Sequence, residues 1–220
     1  MADKQTTLGV FQELKLSHPA GQDAVRAAVL GNLDNGWIHA LEREDRTLLY
    51  PPQDVLALER ADSIGFPGVS LWMYSNEDGS YRVTNIVPLE SGELGVTGYN
   101  AALHDFFQSV IEPARARAPI TAELTGASVS IVDWAGEPSA KALEIFSTLA
   151  NKLTGRSHPK DGQRWLNFLM EAHRAKSSLT GDQLVRWLIE AESWPVEVAY
   201  ELASEYDLSR NLLKLYEELS

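Results

Sequence analysis

The stretch "VEVAYELASEYDL" (196–208) sets Glu197, Glu201 and Glu205 four residues apart. On a helix that spacing places three carboxylates on one stripe, where each like-charge i,i+4 pair costs about 0.2–0.5 kcal/mol. No Lys or Arg stands three or four residues from any of them. Two readings account for such a stripe: a solvated face whose repulsion water and salt screen, or a surface that meets something positive. Arg174, Lys176 and Arg186 are the cations that a neighbouring helix would bring to it. Trp194, between Ser193 and Pro195, opens the same helix. It reads either as an aromatic anchor for a partner or as a staple folded onto Val198. Glu197, Glu201, Glu205 and Trp194 are therefore the candidate partner-binding residues.

Other chemistry-bearing residues are dispersed. The five histidines are His18, His39, His104, His158 and His173, and no two are four residues apart. His158, Asp161 and His173 would converge only if the intervening helix folded back, since about 12 helical residues span about 18 Å. His104 and Asp105 are adjacent, and adjacent helical residues do not face each other. The loop "GELGVTG" (92–98) has backbone N–H groups for an anion, but its spacing matches neither phosphate fingerprint and Glu93 would repel phosphate. There is no G-x-S-x-G, H-E-x-x-H, P-loop or kinase set. No cofactor and no metal are expected.

Bulk composition narrows the partners. Net charge is −12, from 31 acids against 19 Lys and Arg. Residues 157–220 hold 11 acids and 7 bases, so the excess runs through the whole chain. A nucleic-acid binder needs a basic footprint, and an anionic membrane would repel this chain. A protein with a basic surface is the partner that the charge fits. The absence of cysteine removes thiolate chemistry and disulfides. The start "MADKQTTLGV" has no apolar signal core and no run approaches the ~20 apolar residues of a membrane span, so a cytoplasmic location is expected.

The elements that must hold these residues follow from periodicity. Residues 7–16 read as a strand or a short helix start. Ala24, Val25, Ala28 and Val29 mark a helix. Asn35-Gly36 and Pro51-Pro52 are turn signals, with 37–50 ambiguous between them. "QDVLALERAD" (53–62) reads as a short helix. The strongest β signal is a hairpin over 69–87, turning at Asp78-Gly79. In its second arm Tyr81, Val83 and Val87 are expected on one face, and Arg82, Thr84 and Ile86 on the other. "SGELGVTGYN" (91–100) reads as a loop ending in Asn100 as N-cap. A helix with Leu103, Phe106, Phe107, Val110 and Ile111 follows, ending near Pro113. Residues 120–134 read as strand material, best from Val129 to Val132.

Beyond Pro138 the pattern is helical throughout. Leu143, Phe146, Leu149, Ala150 and Leu153 form one stripe with Gly155 as a stop. Trp165, Phe168, Leu169 and Ala172 form the next, after "TGRSHPKDG" (154–162) as a linker. "TGDQ" (180–183) is a capping box ahead of Leu184, Trp187, Leu188 and Ala191. Ser193 and Pro195 start the next helix, and Leu208, Leu212, Leu215 and Leu219 make the last seam. Helices of about 10–14 residues with short links imply antiparallel neighbours.

The fold class is thus α+β: an N-terminal antiparallel or mixed sheet with a few helices, followed by a C-terminal antiparallel helical bundle. Residues 1–136 form the α+β region with its 69–87 hairpin, and 137–220 form an all-helical region packed on it. The function that fits is a non-catalytic acidic protein-interaction module. It would be either a neutralising partner of a basic protein, in the manner of an immunity protein or antitoxin, or a complex subunit. The alternative is an uncommon enzyme with a site between sheet and bundle, drawing on His104, His173 and Glu171.

Overall fold

The computed structural model describes residues 7–33, 36–44, 54–63 and 65–219. Asn35 and Pro51-Pro52, read above as turn signals, lie outside these residues, as do residues 45–50 of the ambiguous 37–50 segment. The protein is α+β. The chain forms two compact units, one from Gly9–Ala127 and one from residues up to Leu8 together with Ser128–Ser220.

In the first unit six strands, counted among the described residues, form a sheet of order β3-β4-β5-β6-β2-β7. They are β2 (Leu14–Ser17), β3 (Trp37–His39), β4 (Val55–Arg60), β5 (Val69–Ser75), β6 (Tyr81–Pro88) and β7 (Thr121–Leu124). Every neighbouring pair is antiparallel. β1 (Leu8–Gly9) and β8 (Ser128–Val129) make a separate two-stranded ladder.

β4 corrects the helix expected at 53–62. Leu, Ala and Glu favour helix in isolation, but Val55 to Leu58 are all buried and pair residue for residue with Tyr74 to Leu71. Burial on both faces of an interior strand overrides local propensity. The hairpin is present, and Gly79 takes φ 76° at its turn. Its second arm departs from simple alternation. Trp72 opposes Asn85 and Met73 opposes Val83, which leaves Thr84 as an extra residue in β6. Such a bulge shifts the phase by one, so Ile86 joins Tyr81 and Val83 in the core while Val87 is exposed.

One face of the sheet is covered by helices. α1 (Gln22–Leu30) contributes Val25 and Val29, as its periodicity required. α3 (Gly95–Phe106) contributes Tyr99, Ala102, Leu103 and Phe106. It begins five residues ahead of Asn100, so Asn100 is no cap. Its side chain instead accepts the Gln12 N–H at 2.9 Å and donates to the Val10 carbonyl at 2.8 Å, tying the segment before β2 to the helix. The helix does not stop at Pro113. A π turn (Phe107–Ile111) carries it into α4 (Glu112–Arg117). Proline lacks the N–H for an i→i−4 bond, and the wider turn just before it absorbs the mismatch.

A polar network joins this unit's edge. Glu44, at the end of α2 (Leu41–Glu44), accepts from Arg26 at 2.6 Å and from the Ala57 N–H at 2.8 Å. His39 Nε2 lies 2.7 Å from the same carboxylate. Arg26 also reaches the Val55 carbonyl at 3.0 Å and Asp54, whose other oxygen accepts from the Tyr81 hydroxyl. Burial raises the Glu44 pKa, but the Ala57 N–H, Arg26 and His39 together outweigh it, so the carboxyl titrates below its ordinary range.

The second unit is helical: α5 (Ile131–Ala135), α6 (Glu137–Leu149), α7 (Pro159–Arg174), α8 (Gly181–Arg186) with a π turn at Trp187–Ala191, and α9 (Val196–Leu219). Of the strand expected over 129–132 only Val129, in β8, is extended in a ladder, and α5 corrects the rest. Ser130 and Asp133 form a reciprocal capping box that starts a helix at Ile131. The backbone N–H and hydroxyl of Ser130 lower the Asp133 pKa. The predicted box at Thr180 and Gln183 is formed in both directions. α6 ends at Leu149, so Leu149 and Leu153 are exposed and drop out of the predicted stripe. Residues 154–162 are the connection between α6 and α7 inside this unit, with Pro159 already helical. The core is an aromatic stack: Phe146 lies 5.1 Å from Trp165 and 5.3 Å from Trp194, and Phe168 lies 5.1 Å from Trp165 and 5.7 Å from Tyr206. α9, at 24 residues, is far longer than the periodicity suggested.

Two outcomes follow. Phe146→Ala removes the shared ring of the stack and is expected to cost about 3–5 kcal/mol in urea unfolding monitored by tryptophan emission. Because the folded-state pKa of Glu44 is depressed, its contribution is present above the unfolded value of about 4.3 and is lost as pH falls through the folded value. Stability measured by denaturation between pH 6 and pH 3, taken as about the span of an ordinary carboxyl titration, should fall on the acid side, and Glu44→Gln should flatten that fall.

Candidate functional site

The first half of α9 carries the predicted stripe, and its orientation is set from below. Trp194 precedes the helix, stacked on Phe146 with 16° between the rings. Its Nε1 donates to Ser147 Oγ at 2.8 Å, and that hydroxyl donates to Glu192 at 2.8 Å. Only 3% of Trp194 is exposed, so the ring serves as a staple into the core of this unit and is not offered to solvent. Its partners are Phe146 and Ser147, where the sequence pointed to Val198. Ser193 turns the chain at φ 56°, and the Ala199 N–H bonds to the Pro195 carbonyl at 3.0 Å to begin the first turn.

From there the helical period does the rest. Ala199, Leu202, Ala203 and Tyr206 are buried, which leaves Glu197 and Glu201 exposed and Glu205 at the margin. Glu205 pairs with Arg156. Among the described residues neither Glu197 nor Glu201 has an ion-pair or hydrogen-bond partner. Arg174 pairs with Glu171 at 2.8 Å and Arg186 with Glu190 at 2.9 Å, so these two are engaged elsewhere. Arg156 was hidden from the sequence because it sits in "TGRSHPKDG", which looks like a linker. In the fold it is a turn held against α9. Gly155 adopts φ 59° there, and a Cβ on it would stand 3.1 Å from Val198 Cγ1. Between this turn and α9 runs an open groove of about 350 Å³, with Arg156, Ser157, Val198, Glu201 and Glu205 on its walls.

Electrostatically the site is one-sided. A lone guanidinium, already shared with Glu205, stands against three carboxylates. It can hold a cationic group by long-range attraction and by direct pairing with Glu197 or Glu201. The carboxylates at this position are exposed or paired, and the Ser157 hydroxyl on the groove wall donates to the Thr154 carbonyl at 2.7 Å.

The histidines remain separate. His39 belongs to the Glu44 network, His18 Nδ1 accepts the Ala20 N–H at 3.0 Å, and His158 Nδ1 accepts the Lys160 N–H at 3.3 Å as the cap of α7. His173 Nε2 lies 2.8 Å from Glu217 Oε1. His104 is an exposed residue of α3. Among the described residues no three His, Asp or Glu side chains converge as metal ligands, and no helix is long and apolar enough to cross a membrane. Of the stretch 92–98, expected as a loop, residues 95–98 are already the first turn of α3, which starts at Gly95.

No family model, no curated protein and no solved structure matches this chain.

Gly155→Ala forces an L side chain into the left-handed region and against Val198, and is expected to cost about 1–2 kcal/mol in thermal or urea unfolding. Gly65 is the control: it shares a positive φ of 80° but has open space around its Cβ position, so Gly65→Ala should show the backbone cost alone.

Proposed function

We propose that the chain is a non-catalytic interaction module whose α9 face receives a basic surface of another protein. It acts as a neutralising partner, in the manner of an immunity protein or antitoxin, or as a subunit that docks a cationic neighbour. The carrying observation is that Glu197 and Glu201 stand exposed on one helical face with no cation paired to them among the described residues, while the adjacent Glu205 already holds Arg156. Unpaired carboxylates on an ordered helix raise local negative potential and speed encounter with a cationic surface. The net charge of −12 extends that field and disfavours nucleic acid and anionic membrane as partners. A cytoplasmic location fits this reading.

The test is capture from the native host at low salt, with mass spectrometry of what is retained. The wild-type chain should retain a basic protein that is released as salt rises toward about 0.5 M, where the Debye length falls to a few ångströms. The double variant Glu197→Lys/Glu201→Lys should retain it at least about tenfold less, since both substitutions are solvent-facing and leave the fold intact. Equal retention by the variant, or no basic protein retained by either, contradicts the proposal.

A further inference from the structure

The outward side of α9 does not end with the acids. Glu197, Glu201, Ser204, Leu208, Leu212, Leu215 and Leu219 follow at steps of four, three, four, four, three and four. That is an eleven-residue period repeated twice. Eleven residues bring a helix back to within about 20° of the starting direction, so the positions form a nearly straight stripe. It runs about 33 Å along the axis. The first half is acidic and the second half is leucine.

This stripe lies opposite the side by which α9 is held. Tyr206 donates to the Leu179 carbonyl at 2.9 Å, and Arg210 donates to the carbonyls of Leu179 and Ser177 at 2.7 and 2.9 Å. His173 meets Glu217 at 2.8 Å, so contact with the rest of the unit continues almost to the last turn. The leucines are therefore on the outside of a docked helix. Leu208, Leu212, Leu215 and Leu219 are 70%, 65%, 55% and 87% exposed. The sequence reading made them an internal seam; four aligned leucines in water are instead the mark of a surface that another chain covers.

The occupant can be chosen by charge and area. A second copy in parallel register sets Glu197 on Glu197 and Glu201 on Glu201, where like charges repel. An antiparallel copy overlaps only from Leu208 to Leu219, about three turns, well below the roughly 800 Å² per partner of a stable interface. A helix from another protein uses the whole stripe if it is basic at one end and apolar at the other. We propose that the outer face of α9 is a docking surface for such an amphipathic helix, its cationic end over Glu197 and Glu201 and its apolar end over Leu208–Leu219. This rests on the basic-partner reading above and adds the partner's form.

Three synthetic helical peptides of the length of α9 test it, with binding read by fluorescence anisotropy at physiological salt. One carries Lys opposite the acids and Leu opposite the leucines. The second carries Lys along its whole face, and the third replaces the Lys of the first with Gln. The mixed peptide should bind at least about tenfold tighter than either control. Leu212→Ser/Leu215→Ser should reduce it to the level of the all-Lys peptide, and Glu197→Gln/Glu201→Gln to that of the Gln peptide. All four side chains are solvent-facing, and circular dichroism should be unchanged. If the all-Lys peptide binds as tightly as the mixed one and the serine variant leaves this untouched, helix docking fails and the basic-partner reading stands. If the Gln peptide binds as tightly as the mixed one and the glutamine variant is silent, both fail at this face. Sedimentation showing a dimer, or phospholipid vesicles binding the chain, in either case abolished by the serine variant, assigns the leucines to a second copy or a lipid surface and overturns the inference. So does the absence of binding by all three peptides.

Discussion

The rotation of α9 about its own axis is the constraint on which the functional account depends. It is set by burial at both ends of the aromatic stack. Trp194 lies on Phe146 before the helix begins, and Tyr206 lies on Phe168 ten residues into it. A helix pinned at two such points has one phase, and a shift of a single residue turns its outward face by about 100°. Glu197 and Glu201 are exposed because Ala199, Leu202 and Ala203 are not. The stripe is thus a consequence of core packing. Its like-charge cost, a few tenths of a kcal/mol per pair, is small beside the burial of two large aromatic side chains.

The sheet unit is organised by a different rule, in which pairing decides conformation. β4 is a strand because it lies between β3 and β5. The bulge at Thr84 moves Ile86 inward. Charged groups are spent on holding edges together: Glu44 accepts from Arg26 and from the Ala57 backbone, and His39 stands beside it. Lys15 of β2 meets Asp78 of the hairpin turn at 2.7 Å, and together with Ser80 lowers that carboxyl's pKa. Glu44 and Asp78 thus have structural partners, which Glu197 and Glu201 lack among the described residues.

Legibility in the sequence tracked how local the deciding interaction is. The Thr180–Gln183 box, the 69–87 hairpin, the stripe of α7 and the α+β class rest on neighbours within a few residues, and each was readable. Ser130–Asp133 was equally local, but the β-branched residues around it drew the reading toward a strand. Asn100 looked like a cap because its use, across to Val10 and Gln12, spans some 90 residues. Pro113 suggested an end because a π turn is not visible in periodicity. At the site, the glutamates were found by spacing alone. The identity of their one cation, Arg156, and the outward direction of Leu208–Leu219 depended on which face Tyr206 and Trp194 bury, which spacing does not specify.

The most direct measurement places a photo-cross-linking residue at position 201, at position 212 and, as a control on the other unit, at the exposed position of Glu123 in β7. Irradiation in the native host should give the same basic protein cross-linked from 201 and from 212, and no such adduct from 123. Adducts from 123 alone, different proteins at 201 and 212, or none from either, would contradict the assignment of α9's outer face as the partner surface.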